Sequence, residues 1–172
     1  IAVSRGLGDV YKRQVETLAA ATGILLNGAE KFSAIGNKKS AGTKLVCFDS
    51  FFNNPGVYEI EMGTPMKKVL YEIGGGFKED IKALQIGGPL GGVIPIAEAE
   101  KLNLDFQEFT KAGFMLGHAS IVSIPKDFPM VEYIHHLFEF TAEESCGKCF
   151  PGRLGSYRGK EMFDQLKSKK AK

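Results

Sequence analysis

The sequence has no tryptophan, only three cysteines, and no long apolar run. Three unevenly placed cysteines do not make the paired framework of a small secreted domain, and they fit a reducing compartment. No apolar run approaches the roughly 20 residues that a helix needs to cross a bilayer. The first residues lack the apolar stretch of a signal peptide. We therefore expect a cytoplasmic protein without direct membrane insertion.

The charge is nearly balanced, with 22 basic and 20 acidic residues and a net charge of +2. This balance gives no reason to expect binding to nucleic acid or to a membrane surface. The basic excess gathers in the tail at 167–172, which we interpret as a solvated end. The 172 residues, 44% of them hydrophobic, are enough for one ordinary domain or two small ones.

The chain divides by its hydrophobic periodicity into five parts. Residues 1–14 show no sustained pattern and resemble translated adaptor sequence, so we expect a foreign or disordered segment. Helical spacing predicts helices within 15–42. Alternation and turn residues then predict a small grasp-like α+β unit over 43–96. A connecting segment is expected over 97–126, and a helical domain over 127–172.

Within the α+β unit, strands are predicted at 43–50, 57–62 and 83–86, with a helix that Thr64 caps and Pro65 opens. A further strand-like run at 120–124 falls in the connecting segment. In the helical part, Asp127 is expected to cap one helix, and a second helix follows Pro151.

Several side chains are assigned to a face by their spacing. We expect Leu154, Met162 and Leu166 to point inward and His135 to point to solvent. Cys47, in a strand, is expected to be a small buried residue.

The sequence feature that most specifically indicates a chemical function is the pair Cys146 and Cys149. Two thiolates at that spacing can bind one metal centre. Spacing alone leaves three possibilities: half of an iron–sulfur or zinc site, a redox dithiol, or two cysteines without a function. A thioredoxin-type dithiol follows a strand, whereas a helix precedes this pair. A four-cysteine zinc site needs a second pair, and only Cys47 remains.

The residues around the pair favour an iron–sulfur cluster. Lys148 and Arg153 are cations that stabilise thiolates, and the amides of a helix starting near Pro151 can donate to sulfur. Nearby glycines leave room for an inorganic core. A [4Fe–4S] cluster, however, needs four ligands, and the local sequence supplies two.

The segment 144–155, ESCGKCFPGRLG, resembles the iron–sulfur signature of the flavoprotein (51 kDa, F-type) subunit of NADH dehydrogenases. That family includes the beta subunits of NAD-dependent formate dehydrogenases and hydrogenases. Residues 15–18 look like its N-V-E-T-L stretch, and 54–59 and 87–92 look like its β-grasp domain. Segments 116–119 and 154–159 resemble the formate dehydrogenase or hydrogenase branch of the family more than the other branches.

The resemblance implies an α+β fold: a small β-grasp (soluble-ligand-binding, ubiquitin-like) domain at 43–96, followed by a helical iron–sulfur-binding domain. It implies that 15–42 is the helical end of an FMN-binding domain, with Glu16 and Thr17 at the edge of the flavin site. No catalytic residue is assigned.

The resemblance also assigns roles in the cysteine loop. Cys146 and Cys149 become cluster ligands, while Ser145, Lys148 and Arg153 adjust the reduction potential through charge and hydrogen bonds. The family's third cysteine falls on Gly152, which has no side chain to bind iron. Its fourth cysteine is expected past the end of this chain. We therefore expect no stable four-iron cluster here.

The expected function is that of a fragment of an NADH-linked oxidoreductase subunit. The longer protein would pass electrons from NADH through FMN to a [4Fe–4S] cluster and on to partner subunits. It would work in the cytoplasm or on the cytoplasmic side of a membrane complex. The fragment alone is expected to be inactive. Two alternatives stay open: a cluster-free β-grasp binding or scaffold module, and a zinc-binding loop.

Overall fold

The structure is a computed structural model that describes residues 15–168. The segment 1–14, expected to be foreign or disordered, lies outside the described residues. The chain begins with two helices, α1 (Val15–Asn27) and α2 (Ala29–Ser33). It continues with strands β1 (Thr43–Phe48) and β2 (Gly56–Glu61), and then with helix α3 (Met66–Lys68), which runs into a π-helical turn at Val69–Ile73.

The second half of the sheet follows, with β3 (Ile81–Ile86) and β4 (Gly92–Pro95). Two short helices, α4 (Ile96–Ala99) and α5 (Phe106–Lys111), precede the last strand, β5 (Ser120–Pro125). The chain then forms helix α6 (Met130–Glu144), a π-helical turn at Pro151–Gly155, and helix α7 (Ser156–Ser168). The predicted succession of an α+β unit and a helical part is confirmed.

The five strands form one sheet in the order β2-β1-β5-β3-β4. The hairpins β1–β2 and β3–β4 are antiparallel, and β5 lies between them, parallel to β1 and antiparallel to β3. Two hairpins joined through a central last strand, with a helix packed on one face, are the β-grasp arrangement. This places β5, the strand predicted at 120–124 within the connecting segment 97–126, in the middle of the sheet. Strand β4 was not predicted from the sequence.

The core lies between the inner face of the sheet and the helices that follow β2 and β4. The strands contribute apolar side chains such as Val46, Phe48 and Ile86, and Met66 and Leu70 pack against them. In β1, alternate residues point to this core, as the two-residue period of a strand requires.

The burial pattern of β1 overturns the expectation for Cys47. Lys44, Val46 and Phe48 are buried on the inner face, whereas Cys47 is exposed on the other. Because successive side chains in a strand point to opposite faces, burial of Val46 and Phe48 places Cys47 outside. The prediction of a buried cysteine was therefore wrong.

Two helix starts also differ from the sequence analysis. Pro65 holds the N-cap position of α3, and the Thr64 hydroxyl instead donates to the Glu61 carbonyl at 2.7 Å. Pro129 holds the N-cap position of α6, so Asp127 does not cap that helix. In both cases the fixed φ of proline sets the entry into the helix without a side-chain hydrogen bond.

Helices α6 and α7 pack extensively against each other. Ser156 and Gly159 of α7 are buried, and the ring of Phe163 stacks on Phe138 at 5.5 Å. The side chains that were expected to point inward are exposed instead: Leu154 in the π-helical turn, and Met162 and Leu166 in α7. That prediction was wrong because the small residues at 156 and 159 allow the closest approach of the helices, and they lie on another face.

His135 is likewise on the inner side of α6, only 8% exposed. Its Nε2 lies 2.7 Å from Asp164 Oδ1 of α7, which provides the polar partner that a buried imidazole needs. The expectation that His135 faces solvent was wrong. Between residues 15 and 168, none of the helices combines the length and the apolar character that crossing a lipid bilayer requires.

Candidate functional site

The cysteine pair lies in the loop between α6 and the π-helical turn. The helix ends at Glu144, and Ser145 has an extended backbone that turns the chain away from the helix axis. Gly147 then has a φ of +69°, in the left-handed region that favours glycine, and this reverses the chain between the two cysteines. The Ser145 Oγ supports this turn, since it accepts a hydrogen bond from the Gly147 amide at 3.2 Å.

The Cys149 sulfur receives a hydrogen bond from the backbone. The Gly152 N–H donates to Cys149 Sγ at 3.4 Å, and the Arg153 N–H donates to the Cys149 carbonyl at 2.9 Å. Amide donors aimed at sulfur stabilise a thiolate ligand and tune the metal that it binds. The start of the π-helical turn therefore holds Cys149 in a conformation suited to ligation. Cys146 and Cys149 are both free and exposed.

Gly152 lies against the side chains of the site. A Cβ built on Gly152 would come 2.8 Å from Ser145 Oγ and 3.1 Å from Cys149 Sγ. Position 152, where a third cysteine of a C-x-x-C-x-x-C signature would stand, is thus next to Cys149 Sγ, and a side chain there would require Ser145 Oγ to move. The Ser156 hydroxyl donates to the Gly152 carbonyl and anchors this position to the first turn of α7.

The described residues do not bring a third conventional ligand to the pair. Among residues 15–168, no cluster of three or more histidine, cysteine, aspartate or glutamate side chains is arranged to hold a metal ion. The residues present therefore do not fit a complete four-cysteine cluster, or a four-ligand zinc site. Lys148 and Arg153 are exposed beside the loop, which keeps positive charge near the two sulfurs.

The second candidate site, at Glu16 and Thr17, lies on α1. Glu16 borders a mostly apolar cleft of about 850 Å³ between α1, α2 and strands β1 and β2. Phe32 and Leu45 are among its apolar walls, whereas Thr17 is exposed and does not line it. The expected place of both residues at the edge of a flavin site stays a prediction.

The structure gives Glu16 a different, structural contact. One of its carboxylate oxygens pairs with the ammonium of Lys44, and the other accepts a hydrogen bond from the Leu45 N–H at 2.8 Å. Strand β5 pairs with β1 only at Cys47 and Phe48, so Glu16 takes the place of a strand partner at Leu45. Lys44 was not predicted as part of a site, although its position two residues before Val46 puts it on the buried face.

The comparison with known family models finds a match to the segment that contains the cysteine loop. Residues 132–172 match the sequence model of the family described as "NADH-ubiquinone oxidoreductase-F iron-sulfur binding region". The match covers α6 from Glu132 onward, the cysteine loop and α7. This match assigns residues 132–172 to the F-type (51 kDa) subunit family of NADH dehydrogenases. The family resemblance seen in the sequence is thereby confirmed.

Relatives of the F-type family extend the similarity over most of the chain. The F-type subunit of the NADH-quinone oxidoreductase of Escherichia coli is 39% identical over 144 residues, which are 82% of this chain and 32% of the relative. The NADP-reducing hydrogenase subunit HndC of Solidesulfovibrio fructosivorans is 35% identical over 154 residues, 88% of this chain and 31% of the relative. The chain thus spans about a third of the length of these relatives.

A solved structure shares the fold of this F-type chain. A chain in the crystal structure of an NAD+-reducing [NiFe]-hydrogenase in the air-oxidised state matches with a TM-score of 0.78 and 29% sequence identity. The match covers 90% of this chain and 26% of the hydrogenase chain. The mixed α/β sheet region and the helical part that follows it therefore occur together in a known structure.

Proposed function

We propose that this chain is the iron–sulfur-binding portion of an NADH-linked oxidoreductase subunit. The observation that carries the proposal is the coincidence of the family match at 132–172 with the loop that presents Cys146 and Cys149. In the longer protein, electrons would pass from NADH through FMN to a [4Fe–4S] cluster and on to partner subunits. Formate dehydrogenase, hydrogenase and complex I types of partner all fit this proposal.

The residues of the loop support ligation at two positions. Cys146 and Cys149 would bind iron, and the Gly152 amide would stabilise the Cys149 thiolate through the hydrogen bond already in place. Lys148 and Arg153 would raise the reduction potential of a bound centre by their positive charge. An iron–sulfur cluster, when bound, supplies one-electron transfer. Since two cysteines do not complete a four-iron site, the chain by itself is proposed to be inactive.

The domain organisation belongs to the same proposal. Residues 15–42 would be the helical end of a flavin-binding domain, with Glu16 and Thr17 near its cofactor. Because β5 completes the sheet, we propose a β-grasp domain that takes in 43–96 together with the strand from 97–126. Residues 127–172 would be the iron–sulfur-binding part. The cytoplasmic location is proposed on the same grounds.

The test is anaerobic reconstitution with iron and sulfide. Four chains are compared: the wild type, Gly152→Cys, and each of these extended by the segment that follows this region in the F-type subunit of Escherichia coli. We expect a stable four-iron cluster, seen by visible absorption and iron analysis, only when Gly152→Cys is combined with the extension. Cys149→Ser in that combined chain is the matched control and should remove the colour.

Two results would change the assignment. If the combined chain stays colourless, the loop is not a cluster site and the β-grasp scaffold function takes its place. If the purified wild-type chain carries zinc in a one-to-one ratio, the zinc-binding function replaces the iron–sulfur function.

A further inference from the structure

The two edges of the sheet differ in how well they are protected against pairing with another strand. The edge strands are β2 and β4. Strand β4 has only four residues and ends in Pro95, which has no N–H to donate. Short strands and proline are common means by which native sheets prevent such pairing. Strand β2 has six residues without proline or lysine, and it pairs with β1 without a register shift. The edge formed by β2 is therefore the unprotected one.

The hydrogen bonds of β1 determine which backbone groups of β2 face outward. The Leu45 N–H points away from β2, since it donates to the Glu16 carboxylate at 2.8 Å, and the Cys47 N–H donates to the residue before β5. In an antiparallel ladder, two directly opposite residues either bond to each other or both turn their N–H and C=O groups away. Leu45 is opposite Glu59, and Cys47 is opposite Val57. The N–H and C=O groups of Glu59 and Val57 therefore point to the open side of β2.

Within residues 15–168, these outward groups have no hydrogen-bond partner. Apart from the ladder with β1, the backbone of β2 accepts hydrogen bonds there only at the Glu61 carbonyl, from the N–H and the hydroxyl of Thr64. In the same part of the chain, β1 is the only helix or strand that runs along β2. A strand placed beside β2 would thus find the donors and acceptors of Val57 and Glu59 already in ladder geometry.

The exposed face of β2 indicates the chemistry of the strand that would fit. Val57, Glu59 and Glu61 share this face, because successive side chains alternate, and all three are exposed. The two carboxylates accept hydrogen bonds from the Thr43 hydroxyl at 2.6 Å and from the Gly36 N–H at 2.9 Å, but neither forms an ion pair within residues 15–168. A strand with basic side chains opposite the glutamates is therefore complementary in charge.

A second copy of this chain does not meet that requirement. If β2 paired with β2 of another molecule, Glu59 and Glu61 of both copies would lie on one face of the joined sheet. Like charges on neighbouring strands destabilise such a pair. The carboxylates thus disfavour self-pairing at this edge and favour a basic partner.

We propose that β2 is a docking edge for an extended segment of a partner protein, which joins the sheet as a further strand and carries basic side chains at alternate positions. In the antiparallel orientation, basic residues lie opposite Glu61 and Glu59, and an apolar residue lies opposite Val57. The backbone ladder supplies affinity, and the alternate side chains supply selectivity. This edge is separate from the cysteine loop, so the inference goes beyond the proposed iron–sulfur function.

The test measures the binding of synthetic peptides to the 172-residue chain by fluorescence anisotropy. The first peptide contains the run K-V-K-V-V between flexible glycine and serine residues, and a peptide with E-V-E-V-V is its charge-reversed control. Two further versions of the first peptide are N-methylated at alternate amides, one version on each edge of the extended peptide. Because only one edge can face β2, the two versions separate a backbone ladder from attraction between charges alone.

The protein variants address the charge and the backbone of β2 separately. Glu59→Gln combined with Glu61→Gln removes both carboxylates, and Glu98→Gln combined with Glu132→Gln removes the same charge elsewhere. Glu59→Pro removes an outward N–H without removing a bond to β1, as proline in an edge strand can. Circular dichroism establishes that each variant keeps its fold.

We expect K-V-K-V-V to bind the wild type and the charge-reversed peptide to bind about fivefold more weakly or less. Removing both carboxylates of β2 should weaken binding of K-V-K-V-V about fivefold, whereas the control pair of substitutions should leave it unchanged. Glu59→Pro, and one of the two N-methylated peptides, should lose about tenfold or more in affinity. The other N-methylated peptide should bind as the unmodified one does.

Several results would overturn the proposal. Failure of K-V-K-V-V to bind the wild type excludes a basic strand at this edge. Equal binding of the two N-methylated peptides excludes a backbone ladder, and this comparison uses the wild-type chain, so it holds even if Glu59→Pro does not fold. If sedimentation shows a wild-type dimer that Glu59→Pro converts to a monomer, the occupant is a second copy and not a basic partner. None of these results affects the proposed function of the cysteine loop.

Discussion

The hydroxyl of Tyr133 in α6 donates a hydrogen bond to the Oε1 of Gln85 in β3. Gln85 is only 4% exposed, and its own amide reaches the Pro89 carbonyl at 3.2 Å. Burial raises the pKa of Tyr133, and the negative charge of Asp49 adds to the effect. The helix that leads to the cysteine loop is therefore tied to the sheet through a partly buried polar contact.

Removing that hydroxyl should weaken the attachment of α6 to the sheet. Tyr133→Phe leaves the Gln85 oxygen without its partner, and we expect the free energy of unfolding to fall by about 1–2 kcal/mol. Urea denaturation followed by circular dichroism measures the change. Tyr157→Phe is the matched control, since Tyr157 is 55% exposed and its substitution should be neutral. Equal effects of the two changes would contradict the role of the Gln85 contact.

A methyl group at position 159 should force the two last helices apart. A Cβ on Gly159 would lie 2.3 Å from Cδ1 and Cε1 of the Phe138 ring. We expect Gly159→Ala to destabilise the chain by about 1–3 kcal/mol, despite the better helix propensity of alanine. Thermal unfolding gives the measurement. In the control Gly155→Ala, the nearest atom is 4.0 Å away, so a similar loss there would refute the steric explanation.

The contact between Glu16 and Lys44 should contribute more to the free energy of unfolding than a surface ion pair does. The Lys44 side chain is only 8% exposed, so Glu16→Ala leaves a buried ammonium and the Leu45 N–H without partners. We expect a loss of about 2–4 kcal/mol in the free energy of unfolding. The double variant Glu16→Gln with Lys44→Met should recover most of it, because the unpaired charge is then gone.

The exposed pair of Glu98 and Lys101 provides the comparison for that experiment. These side chains are 54% and 66% exposed, and solvent screens their attraction. Glu98→Gln should therefore lower the free energy of unfolding by less than about 1 kcal/mol. If Glu16→Ala is no more harmful than Glu98→Gln in the same denaturant titration, the carboxylate of Glu16 does not support β1.

Protonation of Asp105 at low pH should lower the free energy of unfolding. Burial on its own would raise the pKa of this carboxyl, but hydrogen bonds from the Asn37 side chain and from the Glu108 and Gln107 amides hold it below its usual value. Because the folded-state pKa is depressed, the contribution is fully present above the unfolded value of about 4 and is lost as the pH falls through the folded value.

The variant Asp105→Asn isolates this contribution. We expect it to be less stable than the wild type by about 1–2 kcal/mol at neutral pH, with the difference shrinking as the pH falls below about 4. Unfolding by urea at a series of pH values measures the trend. Asp127→Asn is the control, because Asp127 is exposed and does not cap α6. A difference that stays constant with pH would show that the Asp105 charge is not the cause.

Local features of the fold could be predicted from the sequence. Strands predicted at 43–50 and 57–62 do form, and the run at 120–124 forms one as well. These features depend on neighbouring residues, which a linear pattern contains. The position of β5 could not be predicted, because strand order depends on contacts between distant segments. The burial of His135 depends in the same way on Asp164 of another helix.

The cysteine loop was recognised from sequence, but its geometry was not. The spacing of Cys146 and Cys149 left open a metal half-site, a redox dithiol or two cysteines without a function, and the resemblance to the family signature decided between them. The approach of Ser145 to position 152 depends on the chain reversal at Gly147 and on the π-helical turn that follows. Neither feature has a period that a sequence pattern could display.

The central place of the last strand has a consequence for how the chain folds during synthesis. The hairpins β1–β2 and β3–β4 are joined only through β5, so each presents an unpaired inner edge until residue 125 has left the ribosome. Open edges of this kind readily pair with other nascent chains. A polypeptide that stops before 120–125 should therefore aggregate, because the edges of its two hairpins lack strand partners. Addition of that one strand completes the sheet.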